Sequence, residues 1–342
     1  MLVGIAPLYV EYAEVAGPVR LRQVCFLGDK FVGSDFLDFV ALTGREDAVI
    51  RLFVDFLLKN LSWHRLYLED MKEDSPTVAV LKTLSGKCSL SFYVKRKFAC
   101  PYLAMPESVE EFIKLPESTF KKIIAKKTIP KFFKDFNVEI DYSVSGINHG
   151  ANYRTNNDTG NNTNNDTGND ASLDAYLERL FALFAERWGD SEWRGFFDDV
   201  KRRNFYKKAS LELASGNLLR LSAIKVGGTI EAMNYSLLFD DSYYYLLGGC
   251  SRKGLKIRAG NVLMFKTLEY LIGKIRVYNF LRGAEAYKYS WGGVDCFTVN
   301  VQMGRGGVGK LVSAYESLVH RARAIIKARL RKWKKEKKKN SR

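Results

Sequence analysis

One stretch of the sequence is almost free of apolar residues and divides the chain into two parts. It reads NHGANYRTNNDTGNNTNNDTGNDAS over residues 148–172, and NNDTG occurs twice in it. Such a polar segment cannot offset the entropy of its ordering by burying apolar surface, so we predict a mobile linker or a long surface loop. Each flanking part is long enough to bury a core, and we therefore expect two globular lobes.

Strand and helix patterns alternate in both parts. Before the linker, LVGIAPLYV, VRLRQVCFLG and HRLYLED predict strands, whereas REDAVIRLFVDFLLKN and SPTVAVLKTL have helical spacing. After the linker, GNLLRLSAIKV, TIEAMNYSLLF and SYYYLLGG predict three strands joined by turns at Gly227-Gly228 and Asp240-Asp241. A basic, glycine-containing loop over residues 251–260, a helix and the strand IRVYNFL follow. This order predicts an α/β fold.

The formal charge of +16 is concentrated at the C-terminus. Residues 321–342 hold twelve Lys/Arg and one Glu, a net +11, which leaves +5 for the rest of the chain. On a helix from Leu311, apolar residues recur at three- and four-residue steps and line one face. They are Val312, Tyr315, Leu318, Val319, Ala322, Ile325, Ile326 and Trp333. We predict that this helix lies on an anionic membrane surface; the alternatives are docking on the second lobe near Leu311, and RNA as the polyanionic partner.

Cysteine spacing and hydropathy bear on the compartment. The five cysteines form no CxxC pair and no His lies at metal-ligand spacing, so neither a disulfide framework nor a metal site is predicted. No charge-free apolar run approaches the ~18 residues that span a bilayer, and no signal-peptide pattern opens the chain. We expect a cytoplasmic protein whose tail brings it to the inner face of the cytoplasmic membrane.

Two glycine-containing segments are candidate phosphate sites. The loop over residues 251–260 carries four basic residues and runs into a predicted helix, whose N-terminus favours a pyrophosphate; the alternative is a solvated basic loop. The second segment, GRGGVGKL over residues 304–311, nearly matches a phosphate-binding loop. Leu311 stands where that motif requires Ser or Thr, so we predict a turn into the last helix instead.

The segment YNFLRGAEAYKYSW, residues 278–291, resembles the C-terminal pattern of the CelD-like N-acyltransferases. These are members of the GNAT superfamily related to the Fem-type aminoacyltransferases, and the resemblance covers roughly residues 1–300. The matching residues are Phe280, Leu281, Arg282, Gly283, Glu285, Tyr287, Lys288 and Trp291. Asn279 departs from the pattern, which usually has an acid there, and this questions a carboxylate role at that position.

The resemblance implies a fold of two tandem GNAT-like lobes, each a mixed central sheet flanked by helices. Relatives have further elements before the segment that matches LVGIAPLY, so we expect either that the first lobe is abridged at its N-terminus or that the start codon was assigned too late. It also implies acyl-CoA as donor substrate and no metal. The expected domains are a first, acceptor-side lobe (1–147), a disordered linker (148–171), a second, donor-side lobe (172–308) and a basic amphipathic helix (309–342).

By the same resemblance, the site residues fall into three groups. Arg258, Ala259, Gly260 and Asn261 are expected to bind the donor. Lys288 and Arg282 are expected to stabilise negative charge, and Glu285 to remove the ammonium proton, although Arg282 and Glu285 forming only an ion pair is an alternative. Asp35, Asp38 and Tyr287 are expected to contact the acceptor; the alternatives are a solvated loop rim for the two aspartates and a core position for Tyr287. Glu69, Asp70 and Asp74 at a strand end are interpreted as a solvated loop rim.

Three functions remain open on this basis. The first is acyl-CoA-dependent transfer of an acyl group to an amine of a cell-envelope or polysaccharide precursor. The second is a Fem-type aminoacyl-tRNA-dependent transferase, against which the chain shows no long heptad hairpin. The third is a non-catalytic GNAT-like scaffold on a membrane, against which Arg, Glu and Lys remain together in residues 282–288.

Overall fold

The computed structural model describes residues 1–16, 19–28, 33–115, 118–144, 153–154, 169–189, 191 and 193–340. The strands are β1 (Gly4–Ile5), β2 (Leu8–Ala16), β3 (Val19–Phe26), β4 (Val40–Ala41), β5 (Arg65–Lys72), β6 (Ser91–Ala104), β7 (Val138–Val144), β8 (Tyr153–Arg154), β9 (Leu219–Val226), β10 (Thr229–Phe239), β11 (Ser242–Cys250), β12 (Val277–Asn279) and β13 (Val294–Gly304). The helices are α1 (Glu46–Asn60), α2 (Pro76–Lys87), α3 (Val109–Lys114), α4 (Ser118–Ile123), α5 (Ile129–Asp135), α6 (Asn169–Arg187), α7 (Val200–Ser215), α8 (Arg252–Ile257), α9 (Ala259–Leu271), α10 (Ala286–Ser290) and α11 (Gly306–Asn340). A π-helical turn, Ile124–Thr128, lies between α4 and α5.

The chain divides into two compact units that differ from the predicted lobes. The first unit comprises Met1–Phe98 with Phe297–Arg342, and the second comprises Ala99–Cys296. Residues 99–147, predicted in the first lobe, therefore belong to the second unit. The predicted linker lies largely outside the described residues, but β8 and the start of α6 at Asn169 fall within it. The assignment of tandem GNAT-like lobes to the predicted ranges stays a prediction.

The first unit contains a mixed sheet in the order β2-β3-β5-β13-β6. Strands β3 and β5 are parallel, and β5 is antiparallel to β13. Helices α1 and α2 bury Ile50 and Leu81 against Leu68 and Met303 of the sheet. Both helices lie where their spacing predicts them, and Ser75 caps α2 by accepting from the amide of Thr77 at 3.1 Å.

The C-terminal helix α11 starts close to the backbone of the first unit. A Cβ added at Gly309 would overlap the carbonyl oxygen of His64, so glycine permits this approach. One turn later, Ser313 Oγ donates to Gly309 O at 2.9 Å and accepts from Gln302 Nε2 at 3.2 Å. The glycine-rich run at residues 304–311 thus serves a short turn and close helix packing, as predicted in place of a phosphate loop.

The second unit contains a mixed sheet in the order β6-β12-β11-β10-β9-β7-β8. Gly227 and Gly228 have φ values of 59° and 79°, as a type I′ hairpin turn between β9 and β10 requires. Helix α9 packs on one face of the sheet through Val262 and Leu263, and α6 on the other through Leu180. The predicted fold class, a mixed α/β protein with sheet flanked by helices, is confirmed.

Candidate functional site

The parallel strands β11 and β12 separate after three pairs. Ser242–Tyr244 pair with Val277–Asn279, after which β12 ends while β11 continues to Cys250. The chain beyond β12 follows β6 instead, because the amide of Phe280 donates to Pro101 O at 2.9 Å. Among the described residues, one edge of β11 therefore has no strand partner over residues 245–250, and the sheet opens there.

A β-bulge lies on β11 at the same opening. Tyr235 on β10 pairs with Leu247, and Ser236 pairs with Tyr245, so Leu246 has no counterpart. A bulge bends its strand and re-aims the neighbouring backbone groups, and bulges are frequent beside active sites. The coincidence of bulge and opening identifies this end of β11 as the candidate site.

Two helices follow directly on β11. Ser251 Oγ accepts from the amide of Gly254 at 2.8 Å and caps α8, so the prediction of a loop over residues 251–260 is wrong: it contains a short helix. Arg258, in the left-handed conformation with φ 64°, separates α8 from α9. The first turn of α9 has no acidic residue and no side-chain cap, which leaves the positive end of its dipole uncompensated.

The four predicted donor-binding residues lie at this junction. Arg258 is exposed, Ala259 is buried, and Gly260 and Asn261 are half-buried. A Cβ added at Gly260 would meet only Cys250 Sγ, at 3.9 Å, among the described residues. The first turn of α9 is therefore accessible and leaves room for a ligand.

The basic side chains around the junction are not equivalent. Arg252 and Lys256 are exposed, like Arg258. Lys253 instead pairs with the buried Glu231 at 3.0 Å, so its charge is already compensated. Lys256 and Arg258 thus remain as exposed cations beside the start of α9, where a positive field attracts a pyrophosphate. Arg252 lies at the other end of α8, and its amide donates to Glu186 Oε2 at 3.1 Å.

Asn279 shows what its position requires. Its Oδ1 accepts from the amide of Leu281 at 2.8 Å, and Leu281 has a φ of 56°. An amide oxygen accepts this hydrogen bond as a carboxylate oxygen does, so the departure from the acidic residue preserves the turn.

Lys288, predicted to contact the thioester, is only 3% exposed and holds the turn after β12. Its Nζ donates to Leu281 O at 3.0 Å and to Arg282 O at 2.6 Å, and lies 3.0 Å from Glu285 Oε2. These contacts favour a role in positioning the turn. Glu285 is more accessible, with 41% of its side chain exposed. The catalytic assignments of Lys288, Arg282 and Glu285 stay predictions.

Arg187, at the end of α6, is a candidate that the sequence analysis missed. Its Nη1 donates to Gly248 O at 3.0 Å and to the Tyr245 hydroxyl at 3.3 Å, both on the unpartnered stretch of β11. Its guanidinium lies 5.8 Å from the ring centroid of Tyr287. A Cβ at Gly248 would overlap Tyr245 and Arg187. An arginine at a helix C-terminus is common for electrostatic reasons alone, so nothing in the sequence distinguished this one.

The protonation states in this cluster follow from burial. Burial raises the pKa of Tyr287 well above its usual range; Tyr245 raises it further and Arg187 opposes the shift. Burial lowers the pKa of Arg187, but Tyr245 and Tyr287 outweigh this and the net direction is upward. At neutral pH the cluster therefore contains a guanidinium cation beside a neutral phenol at position 287, and both are hydrogen-bond donors.

The predicted acceptor residues Asp35 and Asp38 belong to the first unit. Asp38 Oδ1 accepts from the amide of Phe39 at 2.7 Å, and its other oxygen accepts from the Ser75 hydroxyl. These contacts tie the loop before β4 to the start of α2. Asp35 is half-buried, and its predicted role stays a prediction.

The interpretation of Glu69 and Asp70 as a solvated rim is wrong. Both are buried, and Lys97 Nζ lies 2.9 Å from Glu69 Oε1 and 3.1 Å from Asp70 Oδ2. Asn300 Nδ2 donates to Glu69 at 3.0 Å. In the described residues, no group of three or more His, Cys, Asp or Glu side chains is close enough together to hold a metal ion.

Comparison with known proteins gives a partial family match and a fold match. Residues 162–289 match the family model described as acetyltransferase (GNAT) domain. The matched residues include both strands of the β11–β12 opening. No curated protein matches the chain.

Three solved structures share the fold at low identity. A conserved protein of unknown function from Bacteroides thetaiotaomicron is 12% identical, with 88% of this chain and 84% of that chain covered and a TM-score of 0.51. The C-terminal domain of a putative lysylphosphatidylglycerol synthetase from Agrobacterium fabrum is 9% identical, with 92% and 86% covered and a TM-score of 0.51. L-PGS from Bacillus licheniformis is 10% identical, with 90% and 85% covered and a TM-score of 0.50.

Proposed function

We propose that this chain, with its GNAT-domain match and GNAT-like fold, is a CelD-like N-acyltransferase that uses acyl-CoA. The acceptor is an amine of a cell-envelope or polysaccharide precursor. The observation that carries the proposal is the opening between β11 and β12 directly beside the basic start of α9. The opening offers unpartnered strand edge to an extended acyl-pantetheine chain, and the helix start offers a site for its pyrophosphate.

A difference in charge between the two units supports placing the donor on the second unit. The first unit also contains two parallel strands, β3 and β5, that pair over only two positions and then separate. Gln23 pairs with Arg65, and Val24 pairs with Leu66. The helix after β3, however, is α1, whose first turn contains two acidic residues. Acidic side chains there repel a pyrophosphate, whereas the first turn of α9 contains none.

The proposed reaction joins the acceptor nitrogen to the thioester carbonyl and breaks the carbon–sulfur bond. Glu285 takes the proton of the acceptor ammonium, directly or through water, since 41% of its side chain is exposed although its Oε2 is buried. Arg282 and Arg187 provide positive charge for the oxyanion of the tetrahedral intermediate. The neutral Tyr287 donates a hydrogen bond to the departing sulfur, and the thiolate takes up the second proton of the acceptor nitrogen as the amide forms. Lys288 holds the turn that carries Arg282.

Calorimetric titration with acetyl-CoA and with long-chain acyl-CoA tests the donor assignment. We expect binding to the natural chain and to a Gly260→Ala variant, because the added methyl meets open space. Gly260→Asp places a negative charge at the helix start and should weaken binding at least tenfold. Absence of binding to the natural chain would remove the proposal. Transfer from aminoacyl-tRNA would then support the Fem-type alternative, and inactivity with every donor would support the scaffold.

A further inference from the structure

Helix α11 contacts the first unit through small and polar side chains. Gly309 approaches the backbone of His64, and Ser313 is buried beside Gln302. Glu316 Oε1 pairs with Arg65 Nη1 at 2.7 Å. The face of this helix that meets the protein is therefore not its apolar face.

Six apolar residues of α11 point away from the protein, whereas Val312 and Val319 of the predicted apolar face are half-buried. Six large apolar side chains on α11 are each between 52% and 71% exposed: Leu311, Tyr315, Leu318, Ile326, Leu330 and Trp333. With 3.6 residues per turn they form one stripe, roughly opposite Ser313. The alternative that this face docks on the second lobe near Leu311 would require Leu311 and Tyr315 to be buried, and both are exposed. An exposed apolar stripe of this length is typical of an interaction surface.

The charge of α11 indicates which kind of partner binds its exposed apolar stripe. Residues 321–340 of the helix carry eleven Lys/Arg and one Glu, a net +10, so a second copy of the helix laid along the first would meet strong like-charge repulsion. A polyanion such as RNA would be attracted by the charge alone and has no use for the apolar stripe. An anionic bilayer surface uses both, because apolar side chains enter the acyl boundary while Lys and Arg reach the lipid phosphates.

We propose that the exposed face of α11 lies on the surface of an anionic phospholipid bilayer. Trp333 and Tyr315 suit such an interface, since their rings are apolar and carry a polar edge. In the described part of the chain, none of the helices combines the length and apolar character needed to cross a bilayer. On such a surface the helix lies in the plane of the interface, because its Lys and Arg side chains stay with the lipid headgroups, and a bound protein is placed beside lipid-linked substrates.

Sedimentation with vesicles of phosphatidylglycerol and phosphatidylcholine tests this proposal on the full chain. The test variant replaces three exposed residues of the stripe together, Leu318→Ser, Ile326→Ser and Leu330→Ser. The control variant replaces two similarly exposed residues elsewhere, Phe239→Ser and Val294→Ser. All changed side chains are exposed, and unchanged circular dichroism and Tm confirm that each variant folds.

We expect the natural chain and the control to pellet with anionic vesicles, and the stripe variant to bind at least tenfold more weakly. Binding to pure phosphatidylcholine should be much weaker, because the lipid charge is missing. Equal pelleting of all three proteins would overturn the proposal. So would RNA binding that exceeds vesicle binding and survives in the stripe variant, or a dimer that the stripe variant abolishes without any vesicle binding. None of these measurements depends on transferase activity.

Discussion

Replacing Lys288 with methionine is expected to destabilise the second unit as well as lower transfer activity. Methionine keeps the length of the buried stem but removes an ammonium that donates to Leu281 O and Arg282 O. Hydrogen bonds from a charged donor contribute about 1.5–3 kcal/mol each, and the loss leaves two carbonyls without this partner. The ion pair with Glu285 is only partly screened by solvent: 41% of the Glu285 side chain is exposed, but the paired oxygen Oε2 is buried.

A loss of about 3 kcal/mol follows from these contacts. For a unit of about 200 residues, Tm should fall by roughly 6–12 °C. The assay is a thermal melt followed by circular dichroism, paired with steady-state kinetics below the new Tm. Glu285→Gln is the matched control: it keeps the shape and one oxygen of the side chain, so it should lower activity with a clearly smaller fall in Tm than Lys288→Met. An unchanged Tm in Lys288→Met, together with a hundredfold loss of kcat, would refute the positioning role and support direct contact with the thioester.

Three further outcomes are expected. Gly248→Ala should lower kcat/KM at least tenfold, because the added methyl displaces the guanidinium of Arg187 and the phenol of Tyr245. Gly260→Ala, by contrast, should keep kcat/KM within about twofold of the unmodified protein. Burial raises the pKa of Tyr67 and of Tyr243 to about 12. The two neutral phenols therefore contribute fully to the stability of the folded protein below the unfolded pKa of about 10, and this contribution is lost as the pH rises towards 12. Alkaline unfolding should coincide with the rise of phenolate absorbance near 295 nm, and ionisation before unfolding would contradict the burial. Replacing residues 155–168 with a short Gly/Ser linker should shift Tm by less than about 3 °C, and a larger loss would show that this tract packs against the protein.

Local features of the fold were predictable from local signals. The helices α1 and α2 follow from apolar spacing and, for α2, a serine cap, and the Gly227-Gly228 turn follows from its required backbone conformation. The short helix α8 was missed because its basic, glycine-containing sequence also suits a loop. A single hydrogen bond from the Gly254 amide to Ser251 decides between the two.

Features that depend on distant residues were not predictable. Glu69 and Asp70 look solvated in sequence, yet Lys97 and Asn300 reach them from β6 and β13. Arg187 gains its place at the candidate site only because α6 ends beside Gly248 on β11. Hydropathy periodicity describes one element at a time and does not contain such pairings.

The first unit has a consequence for how the chain is made. Strand β13 lies between β5 and β6, yet about 200 residues separate it from the end of the N-terminal portion, Met1–Phe98. At roughly 5–20 residues per second, a ribosome that has finished Phe98 needs on the order of 10–40 s more to reach Phe297. Throughout that interval β5 and β6 expose strand edges that attract other chains. The sheet of the first unit is therefore completed only when β13 has been synthesised and has paired with β5 and β6. A chain truncated before Phe297 keeps those strand edges exposed permanently.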